Sequence, residues 1–166
     1  MVEQELRRAA LAEAARGLDA AGYMPQKSGN LSLRTEEGFV ITPSGLPYAA
    51  MGAGDLVACT ADGVPIPGAG RPSSEWRLHA AIYRARPDAQ AIVHTHSPMA
   101  TALSATRKGI PAFHYMIALC GGADVRCADY ATFGTQELAN NAVAALEGRK
   151  AVLLANHGVI ALGATL

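Results

Sequence analysis

The sequence predicts an α/β domain in which amphipathic helices cover a largely antiparallel sheet. Three observations carry this. Helical and strand periodicities are mixed along the chain. Several strand-like runs are separated by only a few turn residues, the spacing of hairpins, which pair antiparallel. And 166 residues, half of them hydrophobic and 17% charged, are enough for one domain with a sizeable core.

In order, residues 3–21 read as a helix, with Leu6, Ala10, Leu11, Ala14 and Leu18 on one face and Gly22 as its stop. A Lys-Ser-Gly-Asn loop occupies 25–30. Residues 31–34 alternate as a strand, 36–38 turn, and 39–42 return as its partner. A second loop spans 43–47, and 56–60 form a third strand with a turn at Ala61-Asp-Gly63. Pro65, Pro67, Gly68 and Gly70 mark an irregular approach to the next helix. Ser73 or Ser74 caps that helix, which runs through Trp76, Leu78 and Ile82 to about Arg86, where Pro87 forbids continuation. Residues 91–95 are a strand, and Ser97-Pro98 opens a short helix ending by Gly109. Residues 113–117 are predicted as a strand, 124–127 as extended and 130–134 as a loop. Thr135 caps a helix with Leu138, Ala142 and Leu146 on one face, and residues 151–154 and 159–162 are strands flanking a turn at His157.

Composition excludes several classes of function. Net charge is zero and the pI is near 7.0, and no basic stripe or polybasic segment invites nucleic acid or an anionic membrane. Cys59, Cys120 and Cys127 form neither a disulfide framework nor a CxxC motif, which suits small thiols in a reducing cytoplasm. Glu3, Glu5, Arg7 and Arg8 break up any N-terminal apolar run, so no signal peptide is visible, and no apolar run is long enough to span a bilayer.

The chemistry centres on Ala91-Ile-Val-His-Thr-His96. Alternate strand residues share a face, so His94 and His96 project together and Thr95 the other way. Two imidazoles on a rigid element are half of a metal site. Glu75, expected in the first turn of the preceding helix, and His157 of Asn156-His-Gly158 complete a donor set for a divalent transition metal. Gly158 allows a sharp turn and a close backbone approach behind the His157 ring. Taken singly, each of these has an ordinary reading: hydrogen-bonded structural histidines, a carboxylate favoured at a helix start, a half-buried turn. The combination carries the metal.

Three small polar loops recur: Lys27-Ser-Gly-Asn30, Thr42-Pro-Ser-Gly45 and Pro72-Ser-Ser74. Such loops offer backbone N–H groups and hydroxyls to a phosphate, the last of them at a helix N-terminus, with Lys27 as a formal positive charge. None is a Walker or dinucleotide fingerprint. Ser73 and Ser74 adjoin Glu75, so a phosphate there lies beside the metal. A metal so placed can polarise a carbonyl, with Glu75 within reach as base.

Ser28-Gly-Asn-Leu-Ser32, Ile41-Thr-Pro-Ser-Gly45, Pro72-Ser-Ser-Glu-Trp76, Val93-His-Thr-His-Ser97, Tyr130-Ala-Thr-Phe-Gly-Thr135 and Asn156-His-Gly158 together resemble the class II aldolase/adducin family, in order and at matching spacing. The resemblance implies a three-layer α/β/α fold around a mostly antiparallel sheet. It implies one zinc ion per subunit held by His94, His96 and His157, with Glu75 as ligand and then acid/base. It also implies phosphate contacts from Asn30, Ser44, Gly45, Ser73 and Ser74, a homotetramer with active sites near subunit interfaces, Tyr115 reaching a neighbouring site to protonate the aldehyde oxygen, and Phe133 walling the aldehyde end.

The implied reaction is reversible cleavage of a ketose 1-phosphate, L-fuculose 1-phosphate first, to dihydroxyacetone phosphate and L-lactaldehyde. The alternatives are a 5-deoxyribulose or methylthioribulose 1-phosphate substrate, 4-epimerisation of L-ribulose 5-phosphate, and an adducin-like non-catalytic interaction module. The epimerases carry an aspartate where Glu75 stands, and adducin-like modules generally lose the metal ligands. Lys27 stands where the aldolases carry threonine and is expected to keep the phosphate role, as a direct ion pair, with an altered substrate preference as the alternative. Residues 1–166 are expected to form a single domain without the further helices and tail with which family members continue.

Overall fold

In a computed structural model, which describes residues 2–166, the chain runs α1 (Val2–Ala20), β1 (Asn30–Arg34), β2 (Gly38–Ile41), β3 (Val57–Thr60), α2 (Trp76–Ala85), β4 (Ala91–Thr95), α3 (Pro98–Ala105), β5 (Arg126–Ala128), α4 (Gln136–Ala145), β6 (Ala151–Leu154) and β7 (Gly158–Gly163). The strands form one sheet in the order β3-β2-β1-β4-β7-β6-β5. Every pairing is antiparallel except β5 with β6.

The period-two pattern of each strand sorts its side chains between two faces. Phe39, Ile41, Val57, Cys59, Ile92, Val152, Leu154, Ile160 and Leu162 form one core with Leu78 and Ile82 of α2 and Leu138, Ala139 and Ala142 of α4. On the opposite face, Leu31, Leu33, Val40 and Ala91 pack on Leu11, Ala12 and Ala15 of α1. Farther along that face Val125, Ala151 and Leu153 pack with Ala100 of α3. Helices thus cover both faces in three layers, as the family resemblance implied. Each fully buried Leu or Ile stabilises this arrangement by about 1.5–3 kcal/mol. Two arginines hold the helix ends. Arg34 donates to the carbonyls of Tyr83, Arg86 and Ala89 at the end of α2, and Arg86 donates to those of Leu146 and Arg149 beyond α4. Tyr83 lies in the last turn of α2, where carbonyls lack an intrahelical partner. Among the described residues, no helix is long and apolar enough to cross a membrane.

Three expectations need correcting. Residues 113–117 do not form a strand: Tyr115–Cys120 is a 3-10 segment, with His114 Nδ1 accepting from the Met116 N–H. The apolar pattern there is not matched to a sheet partner, because the neighbouring chain offers only the single bridge Ile110–Val125; Phe113, Tyr115 and Leu119 are exposed. The helix expected to be capped by Ser73 or Ser74 starts later, with Glu75 in the N-cap position and Trp76 as its first residue. Ser73 Oγ instead accepts from the Glu75 N–H. The sharp turn before β7 is made by Asn156, at φ 54, rather than by Gly158.

Gly158 serves the close approach alone. A Cβ there would press into the Thr95 carbonyl oxygen and lie 3.2 Å from His96 and 3.3 Å from His94 side-chain carbons. Gly158→Ala is therefore expected to lower the unfolding free energy by about 1–3 kcal/mol, as other overpacked sites do, read as a lower urea midpoint at unchanged m-value. An unchanged midpoint would show that the strands do not need this approach.

Candidate metal centre and its cleft

The register of two neighbouring strands assembles the centre. Thr95 of β4 pairs with Val159 of β7, so His96, just beyond β4, and His157, just before β7, come together beside His94. The three ring centroids lie 4.8–4.9 Å apart, steeply inclined to one another. One nitrogen from each ring falls within 4.8 Å of the others. Glu75 closes the group from the start of α2, with Oε2 3.2 Å from His94 Nε2 and Oε1 3.3 Å from His157 Nε2. His94 is fully buried, Glu75 nearly so, and the His157 side chain is 11% exposed.

His94 Nδ1 lies 3.0 Å from the Val159 carbonyl oxygen, which can only accept. Nδ1 therefore carries a proton, and Nε2 faces His96 Nε2 at 3.1 Å and the Glu75 carboxylate. Burial opposes the charge on Glu75, but His94 and His157 outweigh it and hold the carboxyl well below the ordinary carboxylate range. Burial likewise opposes a charged His94, but Glu75 raises it above its ordinary value. Burial and the positive His94 push His157 down, and push His96 down to about 4. Glu75 Oε1 is buried without a hydrogen-bond partner. Three imidazole nitrogens turned on one point, with the Glu75 carboxylate against two of the rings and its Oε1 orphaned, are electrostatically frustrated with protons alone. They fit a divalent cation, and the Nδ1–carbonyl bond is the usual device for orienting a ligating histidine.

Above the group opens a cleft of about 320 Å³. Lys27, Ser44, Gly45, Ser73, Ser74 and Phe133 line it, as do Glu75, His96 and His157. Two of the polar loops are tied by their backbones. Ser44 N–H donates to Arg71 O and Ser73 N–H to Thr42 O, with Pro43 bridged to Pro72. The third loop is strained: Gln26 and Lys27 both have left-handed backbones, at φ 56 and 63. Gly29 follows at φ 82, where any Cβ would meet the His94 carbonyl oxygen. Such strain persists where the surroundings enforce it.

Two expected residues stand apart. Asn30 lines the cleft, but its side-chain amide is committed to Glu75 and His79. Tyr115 is 80% exposed and does not line the cleft of its own chain.

Several neighbours had no individual role in the sequence reading. Ser28, the hydroxyl of the Lys27 loop, has its Oγ buried without a partner and lines the cleft. Tyr48, which donates to the Gly29 carbonyl at 2.6 Å, and Tyr130 and Asn156 also line it. Behind Glu75 lies a buried polar line through Asn30, His79, Ser32 and Tyr83. Its signal was present: Asn30 and Ser32 are alternate polar residues on one strand face, and His79 and Tyr83 are a helical i, i+4 pair.

Comparisons with known proteins agree on one family. Residues 9–166 match the model of the class II aldolase and adducin N-terminal domain. A 5-methylthioribulose-1-phosphate/5-deoxyribulose-1-phosphate aldolase of Rhodospirillum rubrum is 51% identical over 156 residues, covering 94% of this chain and 70% of that protein. An L-fuculose phosphate aldolase of Escherichia coli O6:H1 is 48% identical over 139 residues, covering 84% of this chain and 64% of that protein. This chain therefore spans about two thirds of the length of these curated relatives. A solved L-fuculose 1-phosphate aldolase superposes with a TM-score of 0.91 at 42% identity, covering 96% of this chain and 76% of that one.

Complete burial pushes the His79 imidazole down from its ordinary 6.5 to about 3. Between those values the unfolded chain binds a proton that the folded chain refuses, so stability contributed by this group is present above pH 6.5 and is lost as pH falls toward 3. In urea titrations of metal-free protein, unfolding free energy is expected to fall more steeply with acid in the wild type than in His79→Gln, by up to about 1.4 kcal/mol per pH unit. Parallel curves would show that His79 titrates alike in both states.

Proposed function

Because the chain belongs to the class II aldolase and adducin family, we propose that it is a metal-dependent aldehyde-lyase that reversibly cleaves a ketose 1-phosphate to dihydroxyacetone phosphate and an aldehyde. One observation carries this reading: three imidazoles gather, with the buried Glu75 carboxylate against two of them, at the base of a hydroxyl-lined cleft. That arrangement favours an enzyme over an adducin-like interaction module, and glutamate at position 75 favours an aldolase over the epimerase.

His94, His96, His157 and Glu75 are the proposed ligands, and zinc the proposed ion, since imidazole-rich sets suit it. When bound, the ion supplies Lewis acidity toward the oxygens flanking the bond to be broken. The loop hydroxyls of Ser44, Ser73 and Ser74, the Gly45 backbone and the start of α2 bind the phosphate, with Lys27 as its counter-charge. In the synthetic direction Glu75 takes a proton from the hydroxymethyl carbon of dihydroxyacetone phosphate. Tyr115 gives a proton to the aldehyde oxygen, and cleavage runs both transfers backward. Phe133 walls the aldehyde end.

Tyr115 acts on a neighbouring subunit in this reading. Its exposure, together with that of Phe113 at 74% and Met99 at 82%, supports a homotetramer in which these apolar side chains are covered. The three free cysteines suit a cytoplasmic setting, with residues 1–166 acting as one domain. The substrate is proposed as L-fuculose 1-phosphate or a 5-deoxy or methylthio pentulose 1-phosphate. The relative at 51% identity gives the second reading its weight.

The deciding assay compares L-fuculose 1-phosphate with 5-deoxyribulose 1-phosphate on purified, metal-analysed protein, following dihydroxyacetone phosphate release with and without chelator. Chelator-sensitive cleavage is expected, and the ratio of rates chooses the substrate; bound zinc with neither sugar cleaved would overturn the assignment. His96→Ala is expected to lose metal and activity together, and activity surviving in that variant would remove the metal from the mechanism. Lys27→Ala is expected to raise KM about tenfold with kcat little changed, the loss of one charge-assisted contact. An unchanged KM would free Lys27 from the phosphate.

A further inference from the structure

A line of polar side chains crosses the apolar layer between the sheet and α2, and nothing in the proposed chemistry uses it. Tyr83 OH lies 2.8 Å from Ser32 Oγ, Ser32 Oγ 2.6 Å from His79 Nδ1, His79 Nε2 2.5 Å from Asn30 Oδ1, and Asn30 Nδ2 2.9 Å from Glu75 Oε2. Ser32 and His79 are fully buried, and Asn30 and Tyr83 nearly so. Burying four polar groups beside the core that holds Leu78, Ile82 and Ile92 costs free energy unless every bond is made.

The line has one possible polarity. A carboxylate only accepts, so the Asn30 atom facing Glu75 is the amide nitrogen, and the Asn30 oxygen faces His79. That oxygen also only accepts, so His79 Nε2 bears the proton. A neutral ring then has a lone pair on Nδ1, which takes the Ser32 hydroxyl proton, leaving Ser32 Oγ to accept from Tyr83. The phenol stays protonated because burial pushes it well above its ordinary value. Burial keeps His79 neutral. Every donor points toward Glu75.

We propose that Tyr83, Ser32 and His79 form a positioning relay that locks the Asn30 amide onto Glu75 Oε2, so that Oε1 alone is left free for the ion and for proton transfer. His79 is a positioning residue, held as the neutral Nε2–H tautomer. The relay gives Asn30 a role different from the phosphate contact expected of it. Were the relay reversed or cut, the Asn30 amide could rotate and set its oxygen against the carboxylate. The inference rests on Glu75 as ligand and base, but its first test does not require turnover.

Nitrogen-15 NMR of the full zinc-loaded chain, with His79 assigned by its disappearance in His79→Gln, reads the tautomer directly. A single neutral Nε2–H ring is expected between pH 5 and 8; an Nδ1–H or cationic ring would overturn the relay. Kinetics supply the second test. His79→Leu is expected to lower kcat about 10–100-fold, the usual effect of losing support behind a ligand, with KM within about threefold. His79→Gln, whose amide can still donate to Asn30, is expected to recover most of kcat. A His79→Leu enzyme with wild-type kcat, or a His79→Gln enzyme as impaired as His79→Leu, would reduce the line to core packing. Absence of cleavage by the wild type would count against the proposed activity and leave the tautomer to decide the relay.

Discussion

A buried carboxylate among three imidazoles is the constraint around which this molecule is built. Glu75 is nearly sealed from water, and an ion so placed is tolerated only when charge and hydrogen bonds compensate it from several sides. Each compensating group comes from a different element: His94 from β4, His157 from the turn before β7, and Asn30 from the start of β1. The antiparallel register of β1, β4 and β7 brings them together, since Asn30 pairs with His94 and Thr95 with Val159. The sheet therefore serves the centre directly.

The same constraint accounts for most of the places where the backbone departs from ease. Three of the four left-handed non-glycine residues among those described, Gln26, Lys27 and Asn156, lie in the loops around the centre, and Arg107 lies outside the cleft. Gly29 and Gly158 stand where a side chain would push the strands and the imidazoles apart. The apolar layers formed by α2 and α4 on one face, and by α1 and α3 on the other, offset these costs. The family and its three-layer fold follow from motifs and layers together.

Much of this was legible in the sequence because it is local. The strand at 91–95 matches β4 residue for residue, and Thr135 caps α4 by accepting from the Leu138 N–H as its position suggested. Spacing alone put His94 and His96 on one side. What escaped depends on partners distant in sequence. Residues 113–117 have strand-like composition but no strand to pair with. Glu75 reads as a first-turn residue, yet the helix begins after it. The Asn30–His79–Ser32–Tyr83 line joins β1 to α2 across 45 to 51 residues of sequence, so neither half announces the other.

The backbone ties between Thr42-Pro-Ser44 and Arg71-Pro-Ser73 make these two loops a single jaw. Ser44 and Ser73 cannot be displaced independently, because moving either strand breaks bonds to the other. An insertion or deletion in one loop would throw its hydroxyl out of step with its neighbour unless the other loop changed length as well. Diversification of this cleft, by evolution or by design, is therefore confined to substitutions within the jaw and to paired changes in the length of its two loops.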